Sequence, residues 1–179
     1  MKRIFTTGLL IIGLLIAFNT SGFAQTDELE IGGGLVLSTG ALDDFASNSS
    51  VDNTFGLKID GAYAFDEKWR GAADFTFYFP EEESGVKVTV WELNFNAHYL
   101  ITEENDLKIY GLGGLNITNV DIDIDGPATG NSESEFGLNL GGGLQYPVDF
   151  ADVFGELKFA GIGGDADQLV FAAGLRFDI

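Results

Sequence analysis

The stretch from Gln168 to Ile179 alternates without a break. Leu169, Phe171, Ala173, Leu175, Phe177 and Ile179 fall on one parity, and Val170, Ala172, Gly174, Arg176 and Asp178 on the other. A period of two is that of a β-strand with two unlike faces. Here one face is mostly large and apolar, and the other is small or charged. Such a strand needs apolar surroundings outside and a polar or tightly packed interior, which is how a strand crosses a membrane as part of a barrel.

The start of the chain places it on the export route. Met1 to Gln25 reads as a secretory signal, with Lys2 and Arg3 first, the apolar run Gly8 to Phe18 next, and Gly22-Phe23-Ala24 as a small-x-small cleavage site. The apolar run is too short for a spanning helix, which needs roughly 20 residues. Cleavage is expected after Ala24, so that residues 1–24 form the signal peptide and residues 25–179 the functional domain. There is no cysteine, which excludes a lipoprotein anchor, disulfides and thiolate metal sites. Losing the signal removes two of nine Lys and Arg and none of 28 Asp and Glu, leaving a net charge of −21. A chain this acidic repels nucleic acid and anionic lipid surfaces, so no nucleic-acid partner is expected. It is not a disordered acidic chain, because 45% of its residues are hydrophobic and 16 are Phe. No long apolar run follows the signal, so any insertion into a membrane must be by strands.

The alternation recurs seven more times. Strands are expected over Glu28 to Thr39, Thr54 to Phe65, Trp69 to Phe79, Val86 to Ile101, Leu107 to Val120, Glu133 to Tyr146 and Asp152 to Gly161, with Gln168 to Ile179 as the eighth. Eight is an even number, and the connections alternate between short turns and longer, more acidic loops at about 40–53, 80–86, 121–132 and 162–167. Phe65, Trp69, Tyr99, Tyr146 and Phe177 cluster at strand ends on the short-turn side, where an interfacial girdle belongs. Val86, Val88 and Val90 break the pattern by standing on the polar parity, and predict either a strand projecting beyond the bilayer or a bulge. The fold expected is all-β: a closed, antiparallel, eight-stranded transmembrane up-and-down β-barrel. Transmembrane barrels keep short turns on the periplasmic side, so both mature termini are expected in the periplasm.

With that pattern and the ending Gly174-Leu175-Arg176-Phe177-Asp178-Ile179, the chain resembles the eight-stranded outer-membrane barrels, such as the OmpA-like membrane domain and small porin-like surface proteins. The resemblance implies residence in a Gram-negative outer membrane, contact with outer-membrane lipid, and recognition of the C-terminal strand by the barrel-assembly machinery.

The inward parity collects Glu30, Lys58, Asp60, Arg70, Asp74, Glu92, His98, Lys108, Tyr110, Glu156, Lys158 and Arg176, with Asp178 beside them. An eight-strand interior is only just wide enough for side chains to fill. Unpaired buried charge is costly, so these groups are expected to pair into a polar plug. Asp121, Asp123 and Asp125, followed by Gly126, match the start of a calcium loop. Position twelve is Ser132 rather than Glu, and a solvated acidic loop explains the run equally well; calcium is the one cofactor the sequence offers. His98 is the only histidine, and no serine shares its strand, so hydrolase chemistry lacks its nucleophile. It is expected to face inward beside Asn96 and Tyr110. The glycine clusters 32–34, 111–114 and 141–143 carry no phosphate-binding Lys-Ser/Thr and read as small wall positions in a tight barrel.

The expected function is non-enzymatic: a structural or surface-interaction barrel with a charged, plugged lumen and acidic loops that meet an external partner. The alternatives are a narrow porin-like channel for small solutes or ions, an outer-membrane lipid-modifying enzyme, and a soluble lipocalin-like binding barrel.

Overall fold

A computed structural model describes residues 28–39, 53–83, 86–124, 131–164 and 167–179. The signal peptide expected at residues 1–24 and most of the loop expected at 40–53 lie outside these residues.

Nine strands follow one another: β1 (Glu28–Thr39), β2 (Asn53–Ala64), β3 (Trp69–Tyr78), β4 (Glu81–Glu83), β5 (Val86–Glu104), β6 (Leu107–Ile124), β7 (Asn131–Val148), β8 (Ala151–Ile162) and β9 (Gln168–Asp178). Apart from β4 they form a closed antiparallel barrel of eight strands, in which β1 pairs with both β2 and β9, and β3 pairs with β5 across the gap left by β4. Closure leaves no free sheet edge along the barrel wall.

The two faces divide as the alternation requires. Leu35, Phe55, Ile59, Phe95, Leu115, Phe136, Leu140, Leu157, Phe159 and Phe171 are exposed on the outside. Lysines, glutamates, asparagines and Arg176 are buried within. A soluble barrel would reverse this arrangement. The girdle residues Phe65, Trp69, Tyr99, Tyr146 and Phe177 are exposed on the outer surface near the short turns, with the Trp69 and Tyr99 rings 4.9 Å apart.

The two ends differ in their connections. At the short-turn end, β5 and β6 are joined through Asn105 and Asp106, both at positive φ, which gives a turn whose twist matches the flanking strands. Beside it, a register shift between Leu100 and Thr102 marks a bulge in β5. At the long-loop end, the structure corrects two expectations and chooses between the alternatives of a third. The segment expected as a loop at 80–86 contains β4, which pairs with the first residues of β5. The loop expected at 121–132 shrinks from both sides, because β6 runs on to Ile124 and β7 starts at Asn131. The valines at 86, 88 and 90 sit in a regular ladder with Val120 to Ile124, so the strand projects and carries no bulge there. A second bulge lies in β8, where Phe159 and Ile162 pair with Leu140 and Leu138, and Gly161 takes a positive φ to absorb the extra residue.

Candidate functional site

The lumen is the site that the alternation builds, and it has three levels. Nearest the short turns is a ring of ion pairs centred on Arg176 and Arg70. Arg176, on β9, reaches Asp60 at 2.6 Å, Glu156 at 2.7 Å and the Tyr110 hydroxyl at 3.1 Å. Its guanidinium also lies 4.2 Å from the centre of the Phe154 ring. Arg70 donates to Glu30 at 2.7 Å, contacts His98 Nδ1 at 3.1 Å and lies over the Tyr110 ring. Gln145 joins the two arginines: its side-chain oxygen accepts from both, while its amide donates to Glu30 and Asp152. His98 stacks flat on Tyr110, with ring centres 4.7 Å apart.

The middle level is a lattice of carboxylates and amides. Lys58 lies 2.5 Å from Glu156, 3.7 Å from Asp74 and 3.8 Å from Asp60. Asn94 donates to Asp74, and its own oxygen accepts from Asn116 and Asn139. Asn139 donates as well to Asn96. Such groups stand buried because each finds partners in a ring of neighbouring strands.

Toward the long loops the lumen turns apolar. Val36, Tyr78, Val90, Val120, Val170 and Ala172 are buried together, with Val88 and Ile122 packed against them. Tyr78 keeps its hydroxyl on Glu92, which also accepts from Asn94 and Gln168; Gln168 in turn accepts from Ser38.

Local sequence makes this crossing of partners geometrically feasible. Gly32 pairs with Asp60 on one side and with Arg176 on the other. A Cβ at position 32 would lie 2.3 Å from an Asp60 oxygen and 2.7 Å from Arg176 Cγ. The ion pair therefore passes over the space that glycine leaves. The same device recurs twice. Gly143 sits between Tyr110 and Glu156, whose side chains bond across it at 2.7 Å. Gly114 sits between Asn96 and Asn139, which bond across it at 2.9 Å. In each case three adjacent strands present a polar residue, a glycine and a polar residue at one level.

Of the residues expected inside, Glu30, Lys58, Asp60, Asp74, Glu92, His98, Tyr110, Glu156, Lys158 and Arg176 are buried in the lumen, and Arg70 is nearly so. Lys158 approaches Glu92 only to 4.0 Å, and its ammonium has no hydrogen-bond partner among the described residues. Lys108 is half-buried at the short-turn mouth, where it lines a cavity and stands apart from the ion pairs; Asp178 is exposed at the same end. Gln145, Gln168, Tyr78 and Phe154 belong to the lumen too, and the inward parity of their strands was the signal that could have found them.

The calcium-loop residues are placed differently. Asp121 and Asp123 lie in β6, in extended backbone paired with Thr89 and Lys87 of β5. Asp125 lies outside the described residues, and among those described no cluster of three acidic or histidine side chains is arranged for a metal.

The architecture has known counterparts. The chain is similar in fold to the attachment invasion locus protein Ail of Yersinia pestis, solved with the heparin analogue sucrose octasulfate: 17% identity, 87% of this chain and 100% of that chain covered, TM-score 0.64. It is similar to Neisserial surface protein A at 16% identity, with 88% and 100% covered and a TM-score of 0.63. OprG of Pseudomonas aeruginosa gives 14% identity, 87% and 97% coverage and a TM-score of 0.62. Identities this low speak for the fold alone. A comparison with curated protein sequences gives no match. The sequence from residue 10 to residue 177 matches the profile of the outer membrane protein β-barrel domain. The chain belongs to that family, and it is an outer-membrane β-barrel protein.

Proposed function

We propose that this barrel is a structural or surface-interaction protein of the outer membrane, with no channel and no catalytic activity. The observation that carries the reading is the filled lumen. Arg176, 1% exposed, is held by two carboxylates, and the apolar layer of Val36, Val90, Val120 and Val170 lies farther along the barrel toward the long loops. A permeating ion would have to part desolvated ion pairs and then pass the packed valine layer, where the polar atoms of Tyr78, Glu92, Gln168 and Ser38 are bonded to one another. In this reading the short turns and both mature termini are periplasmic, and the long acidic loops face outward to an external partner. Exposed Leu, Ile and Phe side chains meet outer-membrane lipid, and the strand ending in Phe177 and Ile179 is handed to the barrel-assembly machinery. His98 supports the non-enzymatic reading: it is buried between Arg70 and Tyr110, away from the lipid face.

A narrow pore is the second reading, and one observation favours it. Asp60 Oδ1, Asn139 Oδ1 and Lys158 Nζ are buried without a partner among the described residues, and such atoms are sites for ordered water inside the barrel. Planar-bilayer recordings on purified protein separate the two. The filled lumen predicts no steady conductance above the bilayer baseline, and a stable, voltage-independent open level would overturn it.

A further inference from the structure

From residue 25 onward, the chain has only seven Lys and Arg, at positions 58, 68, 70, 87, 108, 158 and 176. Three of them meet at one place. Lys68, Arg70 and Lys108 line a cavity of about 310 Å3 at the short-turn mouth of the barrel. Its floor is buried and fixed: Arg70 is anchored by Glu30 and Gln145, and the His98–Tyr110 stack lies beneath it. A guanidinium has five N–H donors, and the bonds to Glu30, Gln145 and His98 take three. The other two make no hydrogen bond among the described residues. The walls come from two hairpins, Asp66 to Trp69 on one side and Leu100, Glu103 and Lys108 on the other, tied together by the Leu100 N–H bonded to the Lys68 carbonyl at 2.8 Å.

Two further features define the ligand. First, the lining is of mixed sign, with Asp66, Glu67 and Glu103 facing the same cavity as the three cations. A simple anion would be opposed by those carboxylates, and a simple cation by the lysines. A zwitterion, with a phosphate and an ammonium a few bonds apart, satisfies both sets. Second, the cavity adjoins the interfacial band of the bilayer. Trp69 lines the cavity and packs on exposed Tyr99, with Phe65 and Ile101 exposed nearby. Tryptophan and tyrosine are at home where headgroups lie.

We infer that this mouth is a binding site for the zwitterionic headgroup of a phospholipid of the adjacent leaflet: the phosphate on Arg70, Lys68 and Lys108, the ammonium on Glu103 and Glu67, and the acyl chains along the outer wall past Trp69. That the leaflet is the periplasmic one rests on the orientation proposed above. The headgroup chemistry does not.

The experiment uses the mature chain in detergent micelles with Trp91→Phe, which leaves Trp69 as the only tryptophan. Short-chain phosphatidylethanolamine is titrated while Trp69 emission is read, with short-chain phosphatidylglycerol and soluble phosphoethanolamine as parallel arms. The site predicts a saturable emission change with phosphatidylethanolamine and at least tenfold weaker binding of phosphatidylglycerol. It also predicts at least a tenfold loss in the Lys68→Glu/Lys108→Glu double variant, whose intact heat-modifiable band would show that it is folded. Equal response to both lipids, no saturation, or an unchanged titration in the double variant would overturn the inference. Soluble phosphoethanolamine binding as tightly as the lipid would overturn its lipid source. None of these outcomes depends on whether the barrel conducts or which way it is inserted.

Discussion

The two ends of the lumen are built by opposite chemistry within one wall of strands. Toward the short turns, the interior is ionic: Arg176, Arg70, Glu30, Asp60 and Glu156 are locked by contacts of 2.6 to 2.7 Å and share Gln145 and Tyr110 as common partners. Toward the long loops, valines and Tyr78 pack together beside a smaller polar group made of Glu92, Gln168 and Ser38. The difference lies in how specific each filling must be. A buried ion pair is stable only when every charge keeps its partner, so its members are not exchangeable one at a time. An apolar layer needs volume, and hydrophobic residues of similar size can replace one another. The short-turn end therefore depends on partnered charge, while the long-loop end depends on filled volume.

The sharpest way to break this comparison is to remove the residue on which the ionic end converges. Arg176→Met leaves Asp60 and Glu156 buried with one cation fewer, and breaking a buried pair from one side costs about 3–5 kcal/mol. Urea titration of the micelle-folded barrel should show a loss of that size. The double variant Arg176→Met/Asp60→Asn should recover most of it, because it removes one charge of each sign and leaves Glu156 with Lys58 at 2.5 Å. A double variant as unstable as the single one would mean that the plug acts as a shape and not as a charge network.

How far the sequence reveals this arrangement depends on which property of a residue is consulted. Parity reveals the barrel, because a single period of two carries both the strand and its sidedness; the eight spanning strands and the inward direction of Arg176, Glu156 and His98 follow from it. Hydropathy alone misleads wherever an inward residue is apolar. Val90 and Val88 look like exceptions to the alternation, yet they obey it: they point inward, at a level where the lumen is greasy. Tyr78 and Phe154 were missed for the same reason. The expectation of a loop at 121–132 failed because three aspartates suggest a turn, whereas the backbone of Asp121 to Ile124 is satisfied by ladder pairing with β5. Partner choice is the least legible. That Arg176 reaches Asp60, across Gly32 and 116 residues away in sequence, depends on the closure of β9 on β1 and on the shear of the whole sheet.

The glycines provide the next test, since they are the link between wall and plug. Gly143→Ala would place a methyl group 2.6 Å from the Tyr110 ring, beneath the hydroxyl that bonds Glu156. Overpacking of this kind costs about 1–3 kcal/mol. If the crowding of Tyr110 is the cause, adding Tyr110→Ser should make the alanine nearly neutral relative to Tyr110→Ser alone, a non-additivity of about the same size. Additive losses would locate the cost in the strand backbone and not in the bridge across the glycine.

The smallest effect is expected at the long-loop end, where the comparison predicts tolerance. Val90→Ala removes two methyl groups from a buried position without stranding any polar atom. At about 0.8 kcal/mol per methylene-sized group, with a small cavity added, the loss should be about 1–2 kcal/mol. Val90→Ile should change stability by less, since the layer opens toward half-buried Val88 and Ile122, which can shift. Val90→Asn is the decisive member of the series. It puts a somewhat smaller amide among valines, where an unsatisfied group costs about 1–3 kcal/mol. If that variant were as stable as the wild type, the layer would already be wet, and filled volume could not be what the long-loop end depends on.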